Sequence, residues 1–377
     1  MKKILATSWH PGGVNAIMPV IKRLRDEGAY DVVVIGHGYS ESMFGAAGVE
    51  YRAIRDYGIE DAALGSMDRL LQAESPDLVL TGTSTQSNDQ RHVIEQTATL
   101  AGKARGRKTL AVLDFWGNYW QRFSDAYDPD GRFKYLPDKV AIMDEIARKA
   151  MLEEGFTPEV LVVTGNPHFD DLALLAKGYD AEKRRTARQA AGASEGERVV
   201  MYATDVTSDL ERLGWGFTDL DCMRMLCRGI LAAESDGYCV YLAVKKHPRE
   251  TEQNMSALLE CAASHGVRAS QTGYDTKQLA LASDLVVAPA STVLVEATLM
   301  GRDALSIQPG RAGSDDFILN QLDIIPHAYD AETAAKLVSD AIAGRGQSEY
   351  YRQRRGLVSV DGHATDRIVA LVHKMLE

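Results

Sequence analysis

No apolar run in the 377 residues approaches the roughly 18 residues that a membrane-spanning helix needs, so no such helix is expected. Positive charge is also in short supply. Forty-two Lys and Arg stand against 53 Asp and Glu, a formal charge of −11, which removes the basic field that gathers nucleic acid from solution. Cysteine is scarce, and Cys222, Cys227, Cys239 and Cys261 match the spacing of neither a zinc ribbon nor a redox CxxC pair. They read as reduced thiols of a reducing compartment. The opening MKKILATSWHPGG carries two lysines, but Ser8, Trp9 and His10 break its apolar run and no small-residue cleavage site follows. It reads as a first strand, not a signal peptide, and a cytoplasmic location is expected.

Several chemical signatures are missing as well. There is no GxGxxG dinucleotide fingerprint, no GxxxxGK[ST] phosphate loop and no GxSxG elbow. Asp128-Pro129-Asp130-Gly131 begins like a calcium loop without the remaining ligands, and Asp315-Asp316 has no His or carboxylate at a useful spacing. Neither a metal nor a cofactor is expected.

What is present is a repeating alternation. Short β-rich apolar runs (KKILATS, DVVVIGH, VEYRAI, DLVLTGT, TLAVLD, KVAIMD, VLVVTGNP) alternate with segments of helical period, among them 14–27, 59–74 and 90–105. This is the pattern of βαβ units in a parallel sheet. A charged stretch, AEKRRTARQAAGASEGER, interrupts it between about 166 and 196, and the alternation restarts with RVVMYAT, YCVYLAVKKHP, VRASQT, DLVVAP and ALSIQP. Because single α/β cores seldom grow past roughly 250 residues, two domains are expected. The sequence places them at 1–170 and 171–345, with helices of 346–377 returning to the first.

Open parallel sheets bind ligands beyond the carboxyl ends of their strands, and four post-strand loops stand out there. In Ser8-Trp9-His10-Pro11-Gly12-Gly13, Gly12 and Gly13 let backbone approach a ligand and the next helix offers free N–H groups. His10 is a candidate general base, or merely a turn residue. Lys245-Lys246-His247-Pro248-Arg249-Glu250 gathers three cations and an imidazole, suited to a phosphate or to solvent alone. In Pro289-Ala290-Ser291-Thr292-Val293-Leu294-Val295-Glu296-Ala297, Ser291 and Thr292 sit at a helix N-terminus that attracts anions. Glu296 lies one turn further on, where it could accept from sugar or ribose hydroxyls. The fourth loop, Leu113 to Phe123, holds Asp114, a second candidate base, and the aromatics Trp116, Tyr119 and Trp120. These rings read either as an acceptor-side stacking surface or as a hydrophobic plug.

With these motifs in place, the chain resembles the GT-B superfamily of nucleotide-sugar glycosyltransferases and the related UDP-N-acetylglucosamine 2-epimerases over most of its length. DKVAIMDEIARKAMLEEGF followed by VLVVTGNPHFDDL looks like the epimerase stretch that leaves the first domain, and SDLVVAPASTVLVEATLMGRDALSIQPG looks like the shared donor-binding core. The WHPGG and Ala-Ser-Thr segments depart from the epimerases' GTRPE-like loop and Ser-Gly-Gly. The His-Pro pair with Ser-Thr is similar to bacterial capsule-type transferases that use cytidine-activated donors.

The resemblance implies two facing Rossmann-like α/β domains with an interdomain cleft and a nucleotide-sugar donor. Ser291, Thr292, Lys245 and His247 would hold the diphosphate, with Glu296 on sugar or ribose hydroxyls. The first expectation is metal-independent glycosyl transfer from a UDP- or CMP/CDP-linked donor to a small-molecule or glycan acceptor. A UDP-sugar 2-epimerase or hydrolase and a non-catalytic nucleotide-sugar-binding subunit are the alternatives, and a homodimer is left open.

Overall fold

The computed structural model describes residues 1–86, 91–128, 130–206, 210, 212–345, 349–358 and 360–377. Residue 90, where a helix is expected to begin, and residues 346–348, which open the tail, lie outside them. The chain forms two compact units, Met1–Asp171 together with Asp361–Glu377, and Leu172–Val360. No helix among the described residues is long and apolar enough to cross a membrane.

The first unit is built on seven strands: β1 (Lys3–Thr7), β2 (Asp31–Gly36), β3 (Arg52–Ala53), β4 (Leu78–Thr81), β5 (Lys108–Val112), β6 (Lys139–Ile142) and β7 (Leu161–Val163). Their order is β3-β2-β1-β4-β5-β6-β7, all parallel. Helices cover both faces, so central strands such as Leu78–Thr81 are buried along their whole length and read as unbroken apolar runs. The helix Pro11–Glu27 begins with Pro11 in its first turn and buries Val14, Ile17, Val20, Ile21 and Leu24, one stripe at helical spacing. Gly28, at φ +65°, ends it in the left-handed conformation that glycine adopts without strain.

The second unit carries β8 (Arg198–Ala203), β9 (Val240–Lys245), β10 (Ala269–Gln271), β11 (Leu285–Ala288), β12 (Ala304–Ile307) and β13 (His327–Ala328), ordered β10-β9-β8-β11-β12-β13 and again all parallel. Each sheet reverses its order of addition once, between β1 and β4 in the first and between β8 and β11 in the second. Loops that leave the carboxyl ends of those neighbours run in opposite directions and leave a crevice, where ligands of such sheets bind.

The tail differs from the expectation of a single returning segment. Helix Glu349–Gly356 stays with the second unit, where Arg355 bonds Asp303 at 2.9 Å, Arg354 donates to the Asp323 carbonyl at 3.2 Å, and the Tyr350 hydroxyl donates to the Asp323 carboxylate. Only Ala364–Leu376 belongs to the first unit. Its Ile368, Val369, Val372 and Leu376 join the cluster of Ile17, Ile21 and Leu24. The Asp170 carboxylate accepts the backbone N–H groups of Ala364 and Thr365 at 3.0 and 2.8 Å, and so caps this helix.

Candidate functional site

In the second unit the reversal point opens into a cavity of about 540 Å³. Its walls are Ala203, Thr204 and Asp205 at the end of β8, Lys245 to Pro248 at the end of β9, Thr276, and Ala290 to Val293 after β11. Three adjacent strand ends therefore bring together segments that are distant in sequence. A volume in this range accommodates a small-molecule ligand.

The polar groups of the cavity are fixed by local bonds. The Ser291 hydroxyl accepts the Val293 N–H at 3.2 Å as N-cap of helix Thr292–Leu299, which leaves its own proton to donate. Thr292 is exposed beside it. The Thr204 hydroxyl accepts the His247 N–H at 2.9 Å and ties the first loop to the second. The Arg249 N–H donates to His247 Nδ1 at 3.1 Å. A nitrogen that accepts carries no proton, so the neutral ring bears its N–H on Nε2, the edge available to an anion. Lys245 Nζ donates to the Tyr274 carbonyl at 2.6 Å, and Lys246 Nζ to the Glu250 carbonyl at 2.9 Å with Glu252 at 3.0 Å. Each ammonium has three donors, so these bonds exhaust neither, although the Lys246 charge is shared with Glu252.

Below the cavity floor, Asp219 accepts the Asp205 N–H at 3.1 Å and the Tyr202 hydroxyl. Burial raises its carboxyl to about pH 7, well above the ordinary carboxylate range. Glu296 lies one turn into the helix Thr292–Leu299, beside this cavity. It does not line the cavity; it lies 3.9 Å from Lys277, and burial raises its pKa.

The corresponding point of the first unit gathers the β1, β4 and β5 loops. The two backbones meet so closely that a Cβ on Gly82 would lie 2.7 Å from the Gly13 Cα, and one on Gly13 would lie 2.5 Å from Ser8 Oγ. Gly12 leaves room for Asp114, whose Oδ2 would be 2.1 Å from a Cβ there. Asp114 Oδ1 accepts from Thr83 Oγ1 at 3.0 Å and from Arg122 Nη1 at 2.5 Å, with both charged side chains nearly buried. That partner makes Asp114 an ion-pair member rather than an idle base. Beneath the loop, Glu95 Oε1 accepts from Ser8 Oγ at 3.0 Å, the Trp9 N–H at 2.9 Å and Ser84 Oγ at 2.7 Å, while burial raises its pKa. His10, half-buried at the helix N-terminus, has ring contacts with Trp9 and Tyr39 and no side-chain hydrogen bond among the described residues.

The aromatic loop takes the plug reading. Trp116 and Tyr119 are 6% and 5% exposed, Trp116 Nε1 donates to Asp144 at 2.9 Å, and its ring stacks on Phe169. Trp120 is half-buried, with the Arg132 guanidinium 5.3 Å from its ring centre. Two of the three expected acceptor-side rings therefore belong to the core. Sequence reasoning also missed Thr204 and Asp205, whose signal was their place directly after RVVMYA, and Glu95, which lies inside a helix and carries no such signal; Arg122 was within the fourth loop, but its pairing with Asp114 was not foreseen.

No protein-family model matches the sequence, and no curated relative matches it. Solved structures do match. The chain is similar to a UDP-GlcNAc 2-epimerase from Neisseria meningitidis solved with UDP-GlcNAc, at TM-score 0.65 and 13% identity over 100% of this chain and 99% of that one. A UDP-GlcNAc 2-epimerase from Methanocaldococcus jannaschii gives 0.64 and 13% over 99% and 100%. A glycosyltransferase from Rickettsia africae gives 0.61 and 13% over 100% and 97%. The fold is GT-B. At these identities the likeness extends to the architecture of two Rossmann-like domains, and the chemistry has to be argued from the GT-B loops themselves.

Proposed function

We propose that this chain binds a nucleoside-diphosphate sugar in the cavity of the second unit and acts at the sugar–phosphate linkage, as a UDP-sugar 2-epimerase or hydrolase. The observation that carries the reading is the cavity itself. At one reversal point it combines the Ser291 cap and its helix N-terminus, the Nε2 edge of His247, and Lys245 and Lys246, all groups that stabilise a diphosphate and the charge on it as a leaving group. Support for a uridine sugar comes from the UDP-GlcNAc 2-epimerases among the similar structures. A cytoplasmic location is part of the same proposal.

A second reading, glycosyl transfer to an acceptor, is favoured by the first unit. Inverting a C–H centre requires one group to remove a proton and another to return one on the opposite face. Here Asp114 is held by Arg122 and Glu95 is buried under three donors, which leaves His10 as the group without a hydrogen-bond partner among the described residues. One base is what transfer needs.

A single experiment separates the classes. The protein is incubated with UDP-GlcNAc, and in parallel with CMP- and CDP-linked sugars, in D₂O and followed by NMR. Deuterium at sugar C2 marks the epimerase, free sugar with released UDP marks the hydrolase, and nucleotide release only when a saccharide is added marks the transferase. If no nucleotide sugar binds or turns over, the reading fails.

A further inference from the structure

The second unit has another concave site, at the edge of its sheet opposite the cavity proposed for the nucleotide. A cavity of about 250 Å³ lies between helix Ala181–Ala190 and the segment 193–197 that leads into β8, and Arg184, Arg185 and Arg188 line it. The length of β8 separates the two sites. Arg198 opens the strand beside these arginines, and Ala203 ends it in the wall of the nucleotide cavity. At about 3.3 Å per residue they stand about 20 Å apart, so no compact ion reaches both.

Positive charge is in excess here, in a chain whose overall charge is −11. A single carboxylate, Asp284 at the start of β11, serves three guanidiniums, with Arg184 Nη2 and Arg188 Nη2 each at 2.8 Å and Arg198 Nη1 at 3.6 Å. The same carboxylate accepts the Val199 N–H at 2.7 Å. Arg184 and Arg188, one helical turn apart, also donate through Nε to the Ala282 carbonyl at 3.3 and 2.8 Å, which holds both heads in place. Burial, with Arg188, Arg302 and Arg198 close by, lowers the pKa of Arg184.

The two acids of the lining do not cancel this excess. Glu197 is taken by Arg268 and accepts the Ser194 N–H at 2.5 Å, while Glu195 is exposed, where water and salt screen it. Arg185 is exposed as well, and it has neither an ion pair nor a hydrogen bond among the described residues. Two guanidiniums fixed in place and a third without a partner suit a phosphate, whose oxygens accept from the planar fork two at a time. Sites that enclose drug-sized ligands run from about 300 to 1,000 Å³, so the smaller volume here fits a phosphate or pyrophosphate and not a nucleotide sugar. We propose that Arg184, Arg185 and Arg188 form a second anion site on this unit, which takes a compact, multiply charged phosphate ion independently of the nucleotide cavity.

The full chain is titrated with pyrophosphate by calorimetry at constant ionic strength, with UDP in excess to fill the nucleotide cavity. The titration is repeated on Arg185→Ala and on the double variant Ser291→Ala, Thr292→Ala. Pyrophosphate should bind in the presence of UDP, Arg185→Ala should weaken it by about tenfold, and the double variant should leave it unchanged. Because Arg185 is exposed and unpaired, Arg185→Ala should keep the wild-type melting temperature and UDP affinity. The inference is overturned if pyrophosphate does not bind, if UDP or the double variant abolishes its binding, or if Arg185→Ala binds it as the wild type does. Absence of UDP binding counts against the proposed function alone, since the comparison of Arg185→Ala with the wild type is read without it.

Discussion

Ser291 and Thr292 supply hydroxyls at a helix N-terminus where the backbone already favours an anion, so their effect is additive to that field rather than its source. Replacing both with Ala should weaken UDP binding by about 1 to 3 kcal/mol, the cost of two charge-assisted hydrogen bonds. Calorimetry that finds unchanged affinity would remove the cavity from consideration. His10 and Asp114 separate by their partners. His10→Ala should lower kcat by roughly a hundredfold or more with little change in nucleotide affinity, the mark of a base acting in the transition state. Asp114→Ala strands the nearly buried Arg122 guanidinium, and should cost about 3 kcal/mol of stability whatever it does to turnover. A pair of kinetic and thermal-melt measurements distinguishes the two.

At the scale of elements, Asp219 couples the helix Asp219–Ser235 to the loop at the end of β8 through the Asp205 N–H. Its folded pKa, near 7, exceeds the unfolded value of 3.8, so the native state holds the proton more tightly. The stability this contributes is complete below about pH 4 and is lost as pH rises through 7, at up to about 1.4 kcal/mol per pH unit. Asp219→Asn should flatten that part of the melting-temperature profile, and a profile with the same slope as the wild type would contradict the assignment. Helix Ala364–Leu376 is equally specific in its role. Ending the chain at residue 360 removes the side chains of Ile368, Val369, Val372 and Leu376 from the first core, each worth about 1.5 to 3 kcal/mol of burial. The first unit should then lose its cooperative unfolding transition, while the second unit keeps its UDP affinity.

At the scale of the whole molecule, most strands could be read from sequence because parallel sheets bury both faces of a strand and leave continuous apolar runs such as DVVVIG and LVVA. The two-residue strands Arg52–Ala53 and His327–Ala328 owe their existence to a partner strand, and their lengths were not legible. Of the candidate site, Lys245, His247, Ser291 and Thr292 were recoverable because post-strand position alone brings them to one sheet edge. Trp116 and Tyr119 misled because a stacking surface and a core plug have the same composition, and only packing tells them apart. Trp9 and Tyr39 are 30 positions apart, and it is the pairing of β1 with β2 that makes them neighbours.

The bond from Asp170 to the start of the last helix spans 194 residues of chain, and it sets an order on biosynthesis. A ribosome that has released the first 171 residues has delivered every strand of the first sheet but not the helix that covers part of one face. Leu172–Val360 emerges as a continuous segment and can close its own core while translation proceeds. The amino-terminal half must wait with Ile17, Ile21 and Leu24 incompletely covered until the helix Ala364–Leu376 has emerged. During that interval it is the half that a nascent-chain chaperone or protease would encounter.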